Sequence, residues 1–287
     1  MSSSAPKFRF SHRLRVRWAE VDMQKIVFNA HYLMYLDTAV TDYWRALALP
    51  YQSTMHDLGG DLYVKKSTLE YHASAHFDDT LDVRMRCARI GNSSMVFEGE
   101  IRCGDALLIS AELVYVFADP QTQTSKSVPQ ALRDALNAFE AGEPMVQVEV
   151  GNWTKLQAPS TQLRNDVFLQ EQGIAAGVVF DAADETAVHA VAMNRLGRVV
   201  GAGRMVQPER GVGRIGRMAV DRAVRGSKVG LLVLNALLDA AKARGDREVM
   251  LHAQISAEAF YLKRGFAIRG DYFVEAGITH IEMMLPL

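Results

Sequence analysis

Apolar residues near the start of the chain recur with a helical period. Steps of four, four, three and four residues separate five of them, and this spacing places all five on one buried face of a helix. The five residues are Tyr32, Leu36, Val40, Tyr43 and Leu47. Asn29 is the predicted N-cap of this helix, and Pro50 marks its predicted end.

The segments on either side of this helix alternate between apolar and polar positions, as half-buried strands do. Gly91-Asn92 and Gly104-Asp105 have the composition of tight hairpin turns. A single helix among long strands joined by hairpins favours an antiparallel sheet around a central helix, an α+β arrangement. We predict five strands, at His12 to Arg17, Leu62 to Tyr71, Thr80 to Ile90, Ser93 to Arg102 and Ala106 to Ala118.

Asp119-Pro120 closes this first unit, and the pattern changes after Pro144. Pro129 to Glu140 has the spacing of a short amphipathic helix, with Gly142 as its C-terminal cap. We place a domain boundary at Gly142 to Pro144, which divides the chain into residues 1–143 and 144–287. The second domain mixes strands and helices, as α/β folds do. Its predicted strands are Val146 to Val150, Ala187 to Met193, Val199 to Val206, Gly213 to Val220, Glu248 to His252 and two near Phe266 and Ile281, and its predicted helices are about Thr161 to Glu171, Val229 to Arg244 and Ala257 to Arg264.

Composition supports two globular domains without a nucleic-acid or membrane partner. The 287 residues exceed what one core usually needs, and 49% of them are apolar and 23% charged. Neither half is basic enough for nucleic acid. The N-terminus has no signal-peptide core, and the most apolar window, Val229 to Leu238, is too short to cross a membrane. Cys87 and Cys103 form no disulfide framework, so we expect a reducing cytoplasm.

Asp22 is the first candidate for chemistry. It lies just before the first helix, where backbone N–H groups and the helix dipole favour developing negative charge. Its carboxylate could act as nucleophile or general base at an activated carbonyl, while the backbone N–H of Asn29 holds the oxyanion. The alternative is purely structural, since an Asp before a helix is commonly a turn former or a cap. Asn29 already serves as the predicted cap, which leaves Asp22 without an evident structural task.

Asp22 to Asp37, D-M-Q-K-I-V-F-N-A-H-Y-L-M-Y-L-D, resembles the signature of the hotdog-fold acyl-CoA thioesterases of the 4-hydroxybenzoyl-CoA thioesterase type. The similarity covers about Ser11 to Phe117. It implies that Asp22 is the catalytic carboxylate, that the Asn29 N–H polarises the thioester carbonyl, and that acyl-CoA is the substrate. It also implies an active site between two subunits, so we expect a homodimer or homotetramer formed through this domain.

The sequence departs from that signature at two places. Lys25 stands where the family usually has Gly, and Asp78-Asp79 stands where Gly-Asp is usual. A left-handed turn costs a non-glycine residue about 1 to 2 kcal/mol. Either the turn at Lys25 therefore differs, or the lysine is placed to meet a phosphate. His31, His72 and His76 have no cysteine partner, so we expect no metal site. Four aromatic residues are interpreted as core or as the lining of an acyl pocket: Tyr32, Tyr35, Tyr43 and Trp44.

A second candidate site lies between Gly213 and Gly245, where a predicted strand, a short basic loop and a long helix follow one another. Loop N–H groups at a helix start, with Arg and Lys nearby, bind phosphate oxygens. A polyanionic cofactor would suit this loop. The alternative is a basic, solvated turn that only caps an amphipathic helix.

The segment R-A-V-R-G-S-K-V-G, followed by A-E-A-F-Y-L-K-R-G-F, resembles the GCN5-related N-acetyltransferases, and the wider pattern from Val146 to Leu285 resembles their ElaA-like branch. The resemblance implies that Met218 and Val220 pair with the pantetheine arm of acetyl-CoA and that Tyr261 protonates the leaving thiolate. It further implies a pyrophosphate cradle made by Arg225, Gly226, Ser227, Lys228, Val229 and Gly230. Lys228 replaces the middle Gly of the common loop. Glu171 and His252 are the candidates for the base.

These observations predict a hotdog domain followed by an α/β acetyltransferase domain. The first would hydrolyse acyl-CoA, and the second would transfer acetyl from acetyl-CoA to an amine. Both CoA thioesters would be substrates, and no tightly bound cofactor is expected. Two alternatives stay open. The hotdog half could be an acyl-CoA-binding or dimerising module without turnover, or the second half could be an acetyl-CoA sensor that regulates a thioesterase.

Overall fold

The computed structural model describes residues 8–287. The chain forms two compact units, one ending at Met145 and the other spanning Val146–Leu287. Each unit has its own sheet and its own hydrophobic core.

The first unit is a five-stranded antiparallel sheet with one long helix, which confirms the predicted α+β arrangement. In chain order the elements are β1 Phe10–Arg15, α1 Asn29–Ala46, α2 Tyr51–Asp57, β2 Asp61–Tyr71, β3 Thr80–Ile90, β4 Ser94–Cys103, β5 Ala106–Ala118 and α3 Gln130–Ala141. The strands lie in the order β1-β3-β4-β5-β2. Strand bounds agree with the alternation of the sequence to within about two residues.

An aromatic cluster centred on Tyr43 joins α1 to the sheet and to α3. The Tyr43 ring meets the edges of Phe10, Phe97 and Phe139 at centroid distances of 5.5, 5.4 and 5.1 Å. Its hydroxyl donates a hydrogen bond of 2.5 Å to Glu140 Oε1. The spacing of the sequence identified this buried face. Tyr35, Ala39 and Trp44 widen it beyond the predicted stripe.

The start of α1 differs from the prediction by one residue. Phe28 is the N-cap and has no side-chain capping bond, while Asn29 is the first helical residue. Asn29 is therefore not the N-cap, and the first turn of α1 has no side-chain cap. The short helix α2, with Pro50 at its N-cap, was not predicted, because seven residues are too few to display a helical period.

The second unit is a seven-stranded mixed sheet with helices, as predicted for an α/β domain. Its elements are β6 Val146–Gly151, α4 Trp153–Arg164, α5 Ala176–Val179, β7 Val188–Asn194, β8 Val199–Glu209, β9 Val212–Val220, α6 Val229–Arg244, β10 Glu248–Gln254, α7 Glu258–Leu262, β11 Ala267–Glu275 and β12 Ile278–Pro286. The strand order is β11-β12-β10-β9-β8-β7-β6, and only β9 and β10 are parallel neighbours.

The helix predicted from Thr161 to Glu171 was placed wrongly. Helix α4 begins eight residues earlier, at Trp153, where the Asn152 side chain accepts a hydrogen bond from the Lys155 N–H. It contains Pro159, a residue that usually marks a helix boundary. Residues Asn165–Glu171 continue as a π-helical segment.

Two glycines of β8, Gly201 and Gly203, face helix α6. A Cβ atom at Gly201 would lie 2.6 Å from Val229 Cγ1, and one at Gly203 would lie 2.9 Å from both Val233 and Leu237. Val233 and Leu237 are fully buried. The glycines therefore set the distance between the helix and the sheet.

We predict that Gly203→Ala destabilises the second unit by about 1 to 3 kcal/mol, because the new methyl group overpacks the α6 interface. Gly177→Ala is the matched control, since a Cβ there meets nothing within 4 Å. Urea unfolding followed by circular dichroism measures both changes. Equal stability of the two variants would contradict this packing argument.

Candidate active sites

A tight turn places Asp22 in front of α1. The Asp22 N–H donates to the Ile26 carbonyl at 2.9 Å, and the Lys25 N–H donates to the Asp22 carbonyl at 3.0 Å. Asp22 Oδ1 accepts from the Gln24 N–H at 2.8 Å, so the residue does have the structural task that the sequence left unassigned. Its Oδ2 has no hydrogen-bond partner within residues 8–287. Lys25 has φ 62°, so the left-handed turn is kept without glycine.

Asp22 and Asn29 line one cavity of about 460 Å³. Tyr32, Tyr71 and His72 lie on its walls. The Tyr32 hydroxyl accepts from the Ala75 N–H at 2.8 Å, and this bond fixes one wall. The cavity thus brings together a carboxylate and the first turn of a helix. Tyr35, Tyr43 and Trp44 belong to the core.

A buried carboxylate ties α1 to the segment that carries Asp22. Glu20 is 3% exposed, and its Oε2 accepts from the Arg17 N–H at 2.8 Å and from the Tyr35 hydroxyl at 2.7 Å. Its backbone carbonyl accepts from the Phe28 N–H. Burial alone would raise the pKa of Glu20, but the hydrogen bonds from Arg17 and Tyr35 outweigh burial and hold it below the ordinary value.

The second unit places polar and apolar residues on opposite faces of its sheet. Ile215 and Leu251 pair across β9 and β10, and both are buried on the face that carries α6. Arg214 and His252, their neighbours in sequence, point to the other face. Pairing of β9 with β10 ends at Ile215 and Leu251, although both strands continue. The strands therefore separate and open a cleft.

This cleft holds a cavity of about 430 Å³ that is lined by Met218 and Tyr261, among others. The Tyr261 side chain is 7% exposed and has no hydrogen-bond partner in the described chain. Burial raises the pKa of Tyr261 to about 12, so its hydroxyl keeps its proton at neutral pH. Of the residues expected near acetyl-CoA, Met218 and Tyr261 meet at this cavity, whereas Val220 is not on its lining.

The basic loop precedes α6 and is not part of the cavity lining. Gly226 has φ 92° and Lys228 φ 70°, so the lysine adopts the left-handed conformation expected of the glycine it replaces. Ser227 Oγ donates to the Val224 carbonyl at 2.6 Å. Helix α6 begins at Val229 with no side-chain cap, which leaves the N–H groups of its first turn, including that of Gly230, open to anions.

The two base candidates have different environments. Glu171 accepts two hydrogen bonds from Arg225, of 2.6 and 2.7 Å, and this contact lowers the pKa of Glu171. Both of its oxygens are therefore occupied. His252 lines the cavity, and its Nδ1 lies 2.7 Å from Glu275 Oε2. Burial would raise the pKa of Glu275, but the contact with His252 holds it below its ordinary value.

A buried network of arginines and aspartates fixes the loop beside the cleft. Arg164 and Asp184 are 1% and 2% exposed, and Arg164 Nη1 donates to Asp184 Oδ1 at 2.9 Å. Arg204 donates to both Asp184 and Asp181 at 2.9 and 2.6 Å, and Arg217 donates to Asp181 at 2.9 Å. Each of these pairs joins residues 20 or more positions apart, so the sequence has no local signal for the network.

The histidines considered for metal binding have other contacts. His72 Nε2 lies 2.8 Å from Ser110 Oγ, and His76 Nδ1 lies 3.7 Å from Asp79 Oδ2. No group of three potential metal-ligating side chains occurs among residues 8–287. Cys87 and Cys103 are free thiols. Within the same range, no helix has the length and apolar character needed to cross a membrane.

Comparison with known families agrees with these two folds. Residues 24–110 match the thioesterase superfamily, and residues 166–287 match the acetyltransferase (GNAT) domain. The chain therefore belongs to the GNAT acetyltransferases through its second unit, and its first unit is a thioesterase-superfamily domain. Both predicted resemblances are confirmed at this level, whereas the ElaA-like branch stays a prediction.

Individual relatives each cover one unit. The uncharacterized N-acetyltransferase YjcF of Bacillus subtilis is 33% identical over 123 residues, which are 42% of this chain and 86% of that protein. The acyl-CoA thioester hydrolase YbgC of Escherichia coli O6:H1 is 27% identical over 124 residues, 43% of this chain and 92% of that protein. The crystal structure of Slr0204, a 1,4-dihydroxy-2-naphthoyl-CoA thioesterase from Synechocystis, is 19% identical, with a TM-score of 0.42 over 46% of this chain and 97% of its own.

We predict that Glu20→Gln destabilises the first unit by about 1 to 3 kcal/mol at pH 7, because charged hydrogen bonds become neutral ones. A lowered carboxyl pKa gives stability that is fully present above the ordinary pKa of 4.5 and is lost as the pH falls through the lower, folded-state value. The difference from wild type should therefore shrink between pH 5 and about pH 3.

Urea unfolding of the wild type and of Glu20→Gln, at pH 5 and at about pH 3, measures this difference in stability. Glu112→Gln is the control, because its carboxylate forms an exposed pair with Lys66 and should change stability by less than about 1 kcal/mol at either pH. A destabilisation by Glu20→Gln that stays constant with pH would show that the charge of Glu20 is not involved.

Proposed function

We propose that this chain is a bifunctional acyl-CoA enzyme. The first unit hydrolyses acyl-CoA thioesters through Asp22, and the second transfers acetyl from acetyl-CoA to an amine. The single observation that carries the proposal is that each unit has a cavity with the required groups on its wall: Asp22 with Asn29 in one, and Met218 with Tyr261 in the other.

Hydrolysis would begin with the thioester carbonyl near the first turn of α1, where the Asn29 N–H stabilises the oxyanion. Asp22 either attacks the carbonyl carbon or removes a proton from the water that does. If Asp22 attacks, the carbon–sulfur bond breaks to leave an anhydride between the acyl group and Asp22, and a water molecule then hydrolyses this anhydride to the carboxylic acid and free Asp22. If water attacks, cleavage of the carbon–sulfur bond gives the carboxylic acid directly. In both routes the thiolate takes up a proton to give CoA. The exposed Lys25 would bind a phosphate of CoA, which offsets the cost of its left-handed backbone.

Acetyl transfer would join an amine nitrogen to the acetyl carbon and break the carbon–sulfur bond. His252, oriented by Glu275, would take the proton that the amine loses, because Glu171 is held by Arg225. Tyr261 would give its proton to the leaving thiolate. Residues Arg225 to Gly230 and the open N–H groups of α6 would hold the pyrophosphate.

We also propose a homodimer or homotetramer formed through the first unit. Strand β2 is an 11-residue edge strand, and its residues 63–68 are exposed on both faces. Val64 and Tyr71 are 54% and 55% exposed. A long, uncovered edge with apolar side chains pairs readily with another chain. Tyr71 also lines the cavity of Asp22, so a partner there would help to enclose it.

Two substitutions should separate the two activities. Asp22→Asn keeps the oxygen that caps the Gln24 N–H but removes the charge, so thiol release without an amine should fall about 100-fold while acetyl transfer is unchanged. Tyr261→Phe keeps the packed ring, and it should lower acetyl transfer on the order of 10- to 100-fold while hydrolysis is unchanged. Steady-state kinetics on a panel of acyl-CoAs, with and without amines, measures both.

The controls are Asp37→Asn, an exposed carboxylate on α1, and Tyr272→Phe, an exposed tyrosine on β11. Neither should change either rate. Full hydrolysis by Asp22→Asn would make the first unit a binding or dimerising module. Full transfer by Tyr261→Phe would remove Tyr261 from the mechanism. Absence of transfer in the wild type, with hydrolysis responding to acetyl-CoA, would make the second unit a sensor.

For assembly, we expect sedimentation velocity to give a dimer or larger species for the wild type and a shift towards monomer for Val64→Lys, because a charge is placed in the paired edge. The rate of thiol release by Val64→Lys should fall as the fraction of dimer falls. Val274→Lys, on the exposed edge strand β11 of the other unit, should leave assembly unchanged. A monomeric wild type that hydrolyses acyl-CoA at the full rate contradicts this assembly.

A further inference from the structure

The cavity of the second unit contains an arginine that forms no salt bridge, although its charge acts at longer range on Glu275 and helps to lower the pKa of that carboxyl. Arg214 lies half-buried on β9, and its side chain makes one polar contact with the described residues, from Nη2 to His252 Nδ1 at 3.0 Å. No carboxylate oxygen of residues 8–287 lies within 4.0 Å of its guanidinium. Partial burial of an unpaired charge costs free energy that a bound anion would recover.

The other arginines on the cavity wall are already neutralised. Arg204 contacts Asp181 and Asp184, and Arg217 contacts Asp181 as well as the carbonyls of Val178 and Val179. These contacts hold the neighbouring loop. Arg214 is therefore the arginine of the lining that remains available to a ligand.

The hydrogen bond between His252 and Glu275 also affects which N–H groups of Arg214 are available to a ligand. His252 Nδ1 lies 2.7 Å from Glu275 Oε2 and 3.0 Å from Arg214 Nη2. One nitrogen cannot donate to Glu275 and accept from Arg214 at the same time. When Nδ1–H donates to Glu275, all N–H groups of Arg214 are free for a planar, bidentate partner such as a carboxylate.

A carboxylate and a guanidinium thus both lie next to one imidazole nitrogen. An ammonium group would be attracted to Glu275 and an acid group to Arg214, and the two positions are a few bond lengths apart. The cavity, of about 430 Å³, has the size of a small-molecule site. A ligand that satisfies both charges has its amine and its acid close together.

We propose that the acetyl acceptor is a small amine that carries a carboxylate a few bonds from its nitrogen, and that Arg214 binds this carboxylate. This inference rests on the acetyl transfer proposed above. Arg214 then determines specificity, whereas His252 and Tyr261 perform the proton transfers. Amines of the same size without the acid group would leave Arg214 unpaired and react more slowly.

The test uses the full-length protein, acetyl-CoA and a panel of amino acids, each paired with its methyl ester, which keeps the amine and removes the negative charge. The wild type should have at least about a tenfold higher kcat/KM for the acids. Arg214→Gln should lose on the order of 10- to 100-fold on the acids and little on the esters. Arg214→Lys keeps the positive charge but not the planar, bidentate guanidinium, so its kcat/KM for the acids should lie between those of the wild type and Arg214→Gln.

Arg210→Gln is the matched control, because it removes the same charge from the exposed turn of the same hairpin, outside the cavity. It should retain the preference for acids. Equal rates of the wild type with acids and esters, or an equal loss on both in Arg214→Gln, would overturn the proposed role of Arg214 alone. Absence of transfer to every amine in the wild type would overturn the proposed acetyl transfer, and this inference with it.

Discussion

In each unit, the packing of one long helix against one face of a sheet decides where polar chemistry can occur. Under α6, Ile215 and Leu251 fill the buried face, and Gly203 leaves room for the helix. Because side chains alternate along a strand, Arg214 and His252 must then lie on the opposite face, and both line the cavity in the cleft between β9 and β10. In the first unit, the apolar face of α1 is packed on the sheet, and the uncapped first turn is left beside Asp22.

The charges within the second unit are tolerated because they are paired. Arg164, buried almost completely, contacts Asp184 and stacks on Phe180, with its Cζ 4.6 Å from the ring centroid. Arg204 shares Asp184 and adds Asp181. Breaking a buried pair of this kind leaves a charge without compensation, so the network strongly restrains the loop on the cavity wall. The same reasoning makes Arg214 informative, because it lies half-buried and forms no salt bridge.

Much of this architecture follows from sequence periodicity alone. The bounds of β3, β5 and α6 agree with the alternation and spacing of the sequence, because each is long and has a clear apolar pattern. The start of α4 was missed because Pro159 lies inside that helix, against its usual position. The second cavity was only partly predictable. Met218 and Tyr261 follow from a motif, whereas the contact of His252 with Glu275 joins residues 23 positions apart and has no local signal.

Two lysines occupy left-handed positions where the related families favour glycine. Lys25 has φ 62° and Lys228 φ 70°, and each pays a conformational cost of about 1 to 2 kcal/mol. Glycine would relieve that strain but would remove a positive charge from the turn. At these two positions, folding stability and electrostatic attraction for an anion are opposed, so selection for a more heat-resistant protein and selection for tighter binding of an anion would favour different residues.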